Sequence, residues 1–246
     1  MADELQGRVA IVTGATGGMG RAICVRLVEA GASVVATDLT ATADLPDGVS
    51  YHTGDVSNPD HMQAVVASTI ESLGRLDCAV NAAGIEFETV PLADCADDDF
   101  DQMMAVNTKG VFLSMKYELR ALVQAGNGGS IVNIASTNSF RPQPSQPAYT
   151  ASKHAVLGLT RSAAIDYAQH NIRVNCIAPG AINTPMLHSA VERRNRDLDD
   201  VAKRLSYFGR VGEAREIADA ALFLCSDAST FTTGHALSVD GGMLAG

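Results

Sequence analysis

The chain lacks the features that mark several protein classes. Its five cysteines, Cys24, Cys78, Cys95, Cys176 and Cys225, include no C-x₂₋₄-C pair, which excludes a zinc site built on paired thiolates. Their odd number, behind an N-terminus unlike a leader, reads as reduced thiols of a cytoplasmic protein. The six histidines are scattered, with none paired at a metal-binding interval, so no metal is expected. No apolar run approaches the ~20 residues that span a bilayer, and the stretch Met1–Arg8 is polar and acidic, unlike a secretory signal. Positive charge is in deficit: 18 Lys and Arg against 28 Asp and Glu give −10. A duplex-binding protein needs a cationic face, so no nucleic-acid partner is expected. Charged residues make up 19% and apolar residues 46% of the 246, a balance that argues against general disorder. Internal repeats and low-complexity linkers are missing. The one Pro-rich stretch, Arg141–Pro147, is too short for a domain boundary, so residues 1–246 read as a single domain.

The chain does hold an alternation of apolar β-branched runs and helical stretches. Strands are predicted at Arg8–Thr13, Ser33–Thr37, Val49–His52, Leu76–Val80, Ser130–Ala135, Arg173–Ile177 and Ala236–Val239. Helices are predicted at Gly18–Ala30, after a Ser57 cap with Asp60 completing a capping box, over Asp97 to about Val123 as one long helix or two abutting ones, at Pro147–Ala168 and at Glu213–Cys225. Strands alternating with helices imply right-handed crossovers and an α/β fold: one doubly wound, mainly parallel, seven-stranded sheet covered on both faces.

Four constellations carry chemistry. Thr13–Gly20 (TGATGGMG) lies between the first strand and the first helix, with Gly14, Gly18 and Gly20 as G-x-x-x-G-x-G. Such a loop is either a flexible strand–helix turn or a seat for a pyrophosphate at a helix N-terminus, and the strand before and helix after favour the second. Asp38 ends the second strand. It either opens an ordinary turn or accepts hydrogen bonds from adenosine ribose hydroxyls, and the Gly loop tips the balance to the ribose. Tyr149 and Lys153 stand one turn apart on one helix face. A free Tyr, with a pKa of about 10, is a poor base at neutral pH, and a neighbouring ammonium would lower that value. Ser136 follows the fifth strand, where its hydroxyl could polarise a substrate oxygen beside Tyr149. Asn107 sits mid-helix in MAVNTKG, either solvated or marking a local distortion or a bound water.

Together these residues resemble the short-chain dehydrogenase/reductase family across almost the whole chain. TGATGGMG is similar to its TGxxxGxG, Asn81–Gly84 (NAAG) to the segment after its fourth strand, with Ala82 where Asn is usual, and Val239–Gly242 (VDGG) to its C-terminal signature. The resemblance implies a Rossmann-type fold and a catalytic tetrad of Asn107, Ser136, Tyr149 and Lys153. It implies cofactor contacts from Gly14, Gly18, Met19, Gly20, Asp38, Asp55, Val56, Asn81, Tyr149, Lys153, Pro179, Gly180, Ile182 and Thr184. In the implied mechanism Tyr149 exchanges the alcohol proton, Ser136 holds the carbonyl oxygen, Lys153 tunes Tyr149 and holds the ribose, and Asn107 anchors a water relay. NAAGIEFETVPL, VFLSMKYEL and ASKHAVLGLTRSAA look most like NAD-dependent dehydrogenases of cyclic secondary alcohols and diols.

The expected cofactor is NAD, because Asp38 would repel a 2′-phosphate and Gly17 stands where NADP-preferring relatives place a basic residue. The expected substrate is a small, cyclic secondary alcohol or its ketone, with polar pocket walls from Asn138, Gln143 and Gln146. A mobile lid is expected over about 185–208, with Met186, Leu187, Tyr207 and Phe208 touching substrate. A homo-oligomer is expected, a tetramer by resemblance, because the Ala148–Ala168 helix is apolar around most of its circumference. Arg193, Arg194 and Arg196 read as a solvated helix face. The rival within the family is an NADPH-dependent 3-oxoacyl-carrier-protein reductase. Outside it stand a methyltransferase-type domain, which would not need Ser136, Tyr149 and Lys153, and a non-catalytic NAD sensor, which would tolerate their loss.

Overall fold

Short β-branched runs such as VAIVT can be buried whole only in a sheet covered on both faces. That is where the computed structural model puts them. It describes residues 4–41 and 44–246; residues 1–3, at the start of the polar N-terminal stretch, and 42–43 lie outside the described residues. The strands are β1 (Val9–Thr13), β2 (Ser33–Asp38), β3 (Val49–Thr53), β4 (Cys78–Asn81), β5 (Gly129–Ile134) and β6 (Ile172–Pro179). A small side ladder, β7 (Ile182–Asn183) with β8 (Gly212–Glu213), precedes the edge strand β9 (Ala236–Val239). The main sheet has seven strands in the order β3-β2-β1-β4-β5-β6-β9. Every neighbouring pair in it is parallel.

The helices are α1 (Gly18–Glu29), α2 (Pro59–Leu73), α3 (Asp97–Met104), α4 (Val111–Ala125), α5 (Pro147–Tyr167), α6 (Pro185–Arg193), α7 (Leu198–Leu205) and α8 (Ala214–Cys225). Ile23 and Leu27 of α1 and Ile217 and Leu222 of α8 pack with Val12 and Val34 on one face. Val65 of α2, Leu119 of α4 and Val156 of α5 pack with Ile11 and Ile131 on the other. The strand order reverses between β1 and β4, which opens a crevice at their carboxyl ends. This is the α/β Rossmann-type fold with a seven-stranded parallel sheet that the alternation of elements predicts.

One local expectation changes and another is resolved. The α2 cap is Asn58, whose side chain accepts from the Asp60 amide, and not Ser57. The Ser57 amide is already bonded to the Asp55 carboxylate at 2.7 Å, and Pro59 as first helical residue makes Asn58 the cap. Of the two arrangements expected over Asp97 to about Val123, the abutting pair is found, as α3 and α4 joined by a π-helical turn over Ala105–Gly110, centred on Asn107. The stretch expected to be a lid folds into α6 and α7, joined by a short link.

Candidate active site

The cofactor end of the crevice is made largely of backbone. Gly14 has φ of 67°, and a Cβ there would come within 2.6 Å of the Ala83 backbone. Only glycine lets the loop lie against the end of β4. Gly18 touches Thr184, leaving no room for a side chain, and Gly20 packs under the Gly14 carbonyl. Gly17 is the N-cap of α1 and no side chain among the described residues caps it, which leaves the first amides of the helix available to an anion. Asp38 ends β2 beside this loop. One carboxylate oxygen accepts from the Thr16 amide at 2.9 Å and the Thr16 hydroxyl at 2.6 Å, and the other from the Leu39 amide at 2.7 Å. Arg21, the nearest cation by sequence, is paired with Asp44 at 2.8 Å. These groups fit the pyrophosphate and ribose of a dinucleotide.

The other expected cofactor residues divide into two groups. Met19, Pro179, Gly180, Ile182 and Thr184 line the crevice. Thr184 caps α6 by accepting from the Leu187 amide. Val56 is buried under Gly110. The Asn81 side chain turns into the interior, donating to Glu118 and to Asn133 at 3.0 Å each, so only its backbone remains for a ligand. Burial raises the Glu118 pKa to about 7, while Asn81 pulls it down.

Ser136, Tyr149 and Lys153 line the same crevice. Helix α5 puts Lys153 one turn past Tyr149, its ammonium 5.7 Å from the phenol ring centroid and donating to the Ile134 carbonyl at 2.8 Å. Burial pushes Lys153 down to about 8. Burial pushes Tyr149 up to about 12; the Ser136 hydroxyl pulls it down and the Glu86 charge adds to the rise. The expected lowering of Tyr149 by Lys153 is therefore not a property of the chain alone. Desolvation of the phenolate sets the direction, and the Lys153 ammonium is turned to the Ile134 carbonyl. Asn107 lies behind this group, fully buried. It accepts from the Ile85 amide at 2.8 Å and donates to the Ile85 carbonyl at 2.9 Å and the Ser152 hydroxyl at 3.2 Å. The π-helical turn is the distortion its mid-helix position suggested, and it is what brings the amide to Ile85. A Cβ at Gly84 would stand 3.3 Å from Asn107 Oδ1 and 3.5 Å from Lys153 Nζ, so Gly84 keeps open the gap between the two.

The substrate end is made of side chains, several of which sequence reasoning missed. Glu88 is almost wholly buried and accepts from the Ala148 amide at 2.9 Å and the Tyr149 amide at 2.7 Å. It thus caps the helix that carries Tyr149 from a loop about sixty residues away. Glu86 lines the crevice and pairs with Arg194 at 2.5 Å and Arg193 at 3.1 Å. These two arginines are therefore not a solvated face, because the end of α6 is fastened to the loop after β4. Two carboxylates in the apolar stretch IEFETV were the available signal. Asn138, Gln143 and Gln146 all line the crevice, but Asn138 and Gln146 are bonded to each other at 2.9 Å. Met186 and Leu187 line it too. Tyr207 and Phe208, 76% and 78% exposed, do not: the chain turns outward after α7 and follows the C-terminal strand.

Comparison with known proteins agrees with this geometry. The family model described as Enoyl-(Acyl carrier protein) reductase matches residues 14–244. A 2,5-dichloro-2,5-cyclohexadiene-1,4-diol dehydrogenase of Sphingobium indicum is 40% identical over 248 residues, covering 98% of this chain and 99% of the relative. The crystal structure of levodione reductase superposes with a TM-score of 0.91 at 33% identity, covering 98% of this chain and 99% of the other. Carveol dehydrogenase from Mycobacterium avium in complex with NAD gives 0.92 at 28% identity, with 99% and 100% covered. ElxO with NADP bound gives 0.90 at 28%, with 97% and 99% covered. The chain belongs to the short-chain dehydrogenase/reductase family, as an oxidoreductase of alcohols and ketones that works with a nicotinamide cofactor.

Proposed function

We propose that this chain is an NAD(H)-dependent dehydrogenase that interconverts a small cyclic secondary alcohol and its ketone. The observation that carries the reading is the convergence of Ser136, Tyr149 and Lys153 on one crevice whose other end holds Asp38 and an uncapped helix start. Tyr149 exchanges the proton of the alcohol oxygen, and Ser136 donates a hydrogen bond to that oxygen as it becomes a carbonyl. Lys153 orients the nicotinamide ribose, and Asn107 fixes the loop at Ile85 that walls the site. Bound NAD supplies the hydride acceptor.

NAD is favoured over NADP because Asp38 is held in place by Thr16 at the ribose end and Arg21 is already engaged by Asp44. A small substrate agrees with a cavity of ≈ 170 Å³, and a cyclic one with the ring diol in the name of the Sphingobium relative. The test is a panel of cyclic secondary alcohols and ketones assayed with NAD(H) and NADP(H). Turnover confined to acyl-carrier thioesters would replace this reading with a carrier-protein reductase, the activity closer to the family model's description.

Two further features belong to this proposal. Residues 185–208 form a lid, α6 and α7, that closes over substrate. Hydrogen exchange should slow there when NADH and a substrate analogue bind, and unchanged exchange would count against it. The enzyme is a homotetramer in a reducing, cytoplasmic setting. Helix α5 turns a flat row of Ala151, Gly158, Ser162 and the 80%-exposed Ile165 outward, a face suited to a second copy. A mass of one chain by light scattering would refute the assembly.

A further inference from the structure

The charge of the crevice runs against the charge of the chain. Around its cavity at Ser136 and Tyr149, which Asp38 does not line, four basic residues, Lys153, Arg194, Arg196 and Arg204, stand against one acidic residue, Glu86, in a chain whose net charge is −10. Lys153 is turned to the Ile134 carbonyl, and Arg194 is spent on Glu86 and the Glu88 carbonyl. Arg196 and Arg204 have no ion pair and no side-chain hydrogen bond among the described residues. Desolvation, and after it the charges of Arg204 and Arg194, push the Arg196 pKa below the ordinary arginine value. Two exposed arginines that line a ligand cavity without an ion pair of their own offer planar, charged donors to an anion in that cavity.

The pyrophosphate end lies elsewhere. Helix α6 starts at Thr184, against Gly18 of the cofactor loop, and ends at Arg193 and Arg194, against Glu86. Its nine residues span ~13 Å at 1.5 Å each. Arg196 follows that far end, and Arg204 is its neighbour from the last turn of α7. Building on the oxidoreductase reading above, we propose that Arg196 and Arg204 bind a carboxylate carried by the substrate, so that the preferred alcohol or ketone is a small ring acid rather than a neutral diol.

The test separates this inference from the reading it rests on. The NADH-loaded protein is titrated at matched ionic strength with cyclohexanecarboxylate and, as uncharged control, cyclohexanecarboxamide, and binding is followed by the shift in thermal midpoint. In parallel, kcat/KM is measured for 3-oxocyclohexanecarboxylate and its methyl ester. A charge-assisted contact predicts a preference for the acid of about tenfold to a hundredfold, falling as salt is raised. The preference should disappear in Arg196→Ala/Arg204→Ala and be reduced in Arg204→Gln, with NADH affinity unchanged in both. Arg196→Lys should keep part of it. No preference for the carboxylate in the titration, or an equal one in the double variant, overturns the inference even if neutral ketones are reduced well. Weakened NADH binding in the double variant assigns the arginines to the cofactor, and Arg-dependent turnover of carrier-protein thioesters alone assigns them to a carrier; both overturn it. If neither ketone is turned over, the dehydrogenase reading suffers and the titration alone decides the carboxylate site.

Discussion

The two ends of α6 are held by different means. At its start, the Thr184 and Pro185 side chains rest on the Gly18 backbone, where a side chain is excluded, so the helix meets the cofactor loop by close packing alone. At its end, Arg193 and Arg194 are fastened to Glu86, more than a hundred residues away in sequence. The cofactor half of the crevice is built from glycine, helix termini and one carboxylate. The substrate half is built from side chains supplied by the loop after β4, the Pro-rich loop and helices α6 and α7. A family can therefore keep the first half while exchanging the second, and Tyr149 stands where they meet.

Removing the residue at that junction should have the largest effect. Tyr149→Phe is expected to lower turnover by about 10²–10⁴, the range for a positioned acid or base, while NADH affinity holds because the ring is kept. Retention of most turnover would separate the proton step from this residue. Next in size is the cofactor half. Asp38→Ala should reduce the preference for NAD over NADP, read as a ratio of kcat/KM, by about two orders of magnitude, because a like-charge clash costs several kcal/mol. Its substrate selectivity should not move. In the substrate half, Glu88→Ala leaves the Ala148 and Tyr149 amides without their acceptor. A loss of about 1–2 kcal/mol in stability is expected from the missing cap, with kcat reduced and the KM for NAD unchanged. Glu88→Gln, which keeps one acceptor, should fall between this variant and the wild type.

The smallest effect lies below both halves. Glu118 is buried, and one of its carboxylate oxygens lacks a hydrogen-bond partner among the described residues, as does the side-chain oxygen of Asn81. Its pKa is raised from 4.5 to about 7, so the folded state favours the protonated acid. The stability this group contributes is complete below its unfolded pKa and is lost as pH rises through about 7. Glu118→Gln removes the buried charge and keeps an acceptor for the Asn81 amide. It should raise the thermal midpoint above that pH and change little in mild acid. A uniform shift at all pH values would show a packing effect instead.

The same division explains what could be read from sequence. Glycines, helix starts and strand ends have local signatures, so TGATGGMG, Asp38 and the seven strands are visible one segment at a time. Asn107 was visible as a polar residue in the wrong place, and the π-helical turn gives it a reason. The ion pairs of Arg193 and Arg194 with Glu86, and the capping of α5 by Glu88, join segments far apart. Nothing local distinguishes those arginines from a solvated face. Tyr207 and Phe208 were misplaced for a related reason: aromatic character suggests contact with substrate, but the direction of the chain after α7 decides it. The raised pKa of Tyr149 depends on how much solvent its burial removes, which spacing to Lys153 does not report.

The central claim is that Tyr149 carries the proton between substrate and enzyme, and the pH dependence of kcat/KM in both directions tests it most directly. With the phenol held at about 12 in the chain alone, Tyr149 is protonated at neutral pH and competent as an acid. It becomes a base only as the proton is lost. Ketone reduction should be flat through neutral pH and fall only in the alkaline range. Alcohol oxidation should rise steadily from about pH 7, and in Tyr149→Phe that rise should be absent from the residual activity. Oxidation that does not change with pH, or a rise that survives in Tyr149→Phe, would contradict the account.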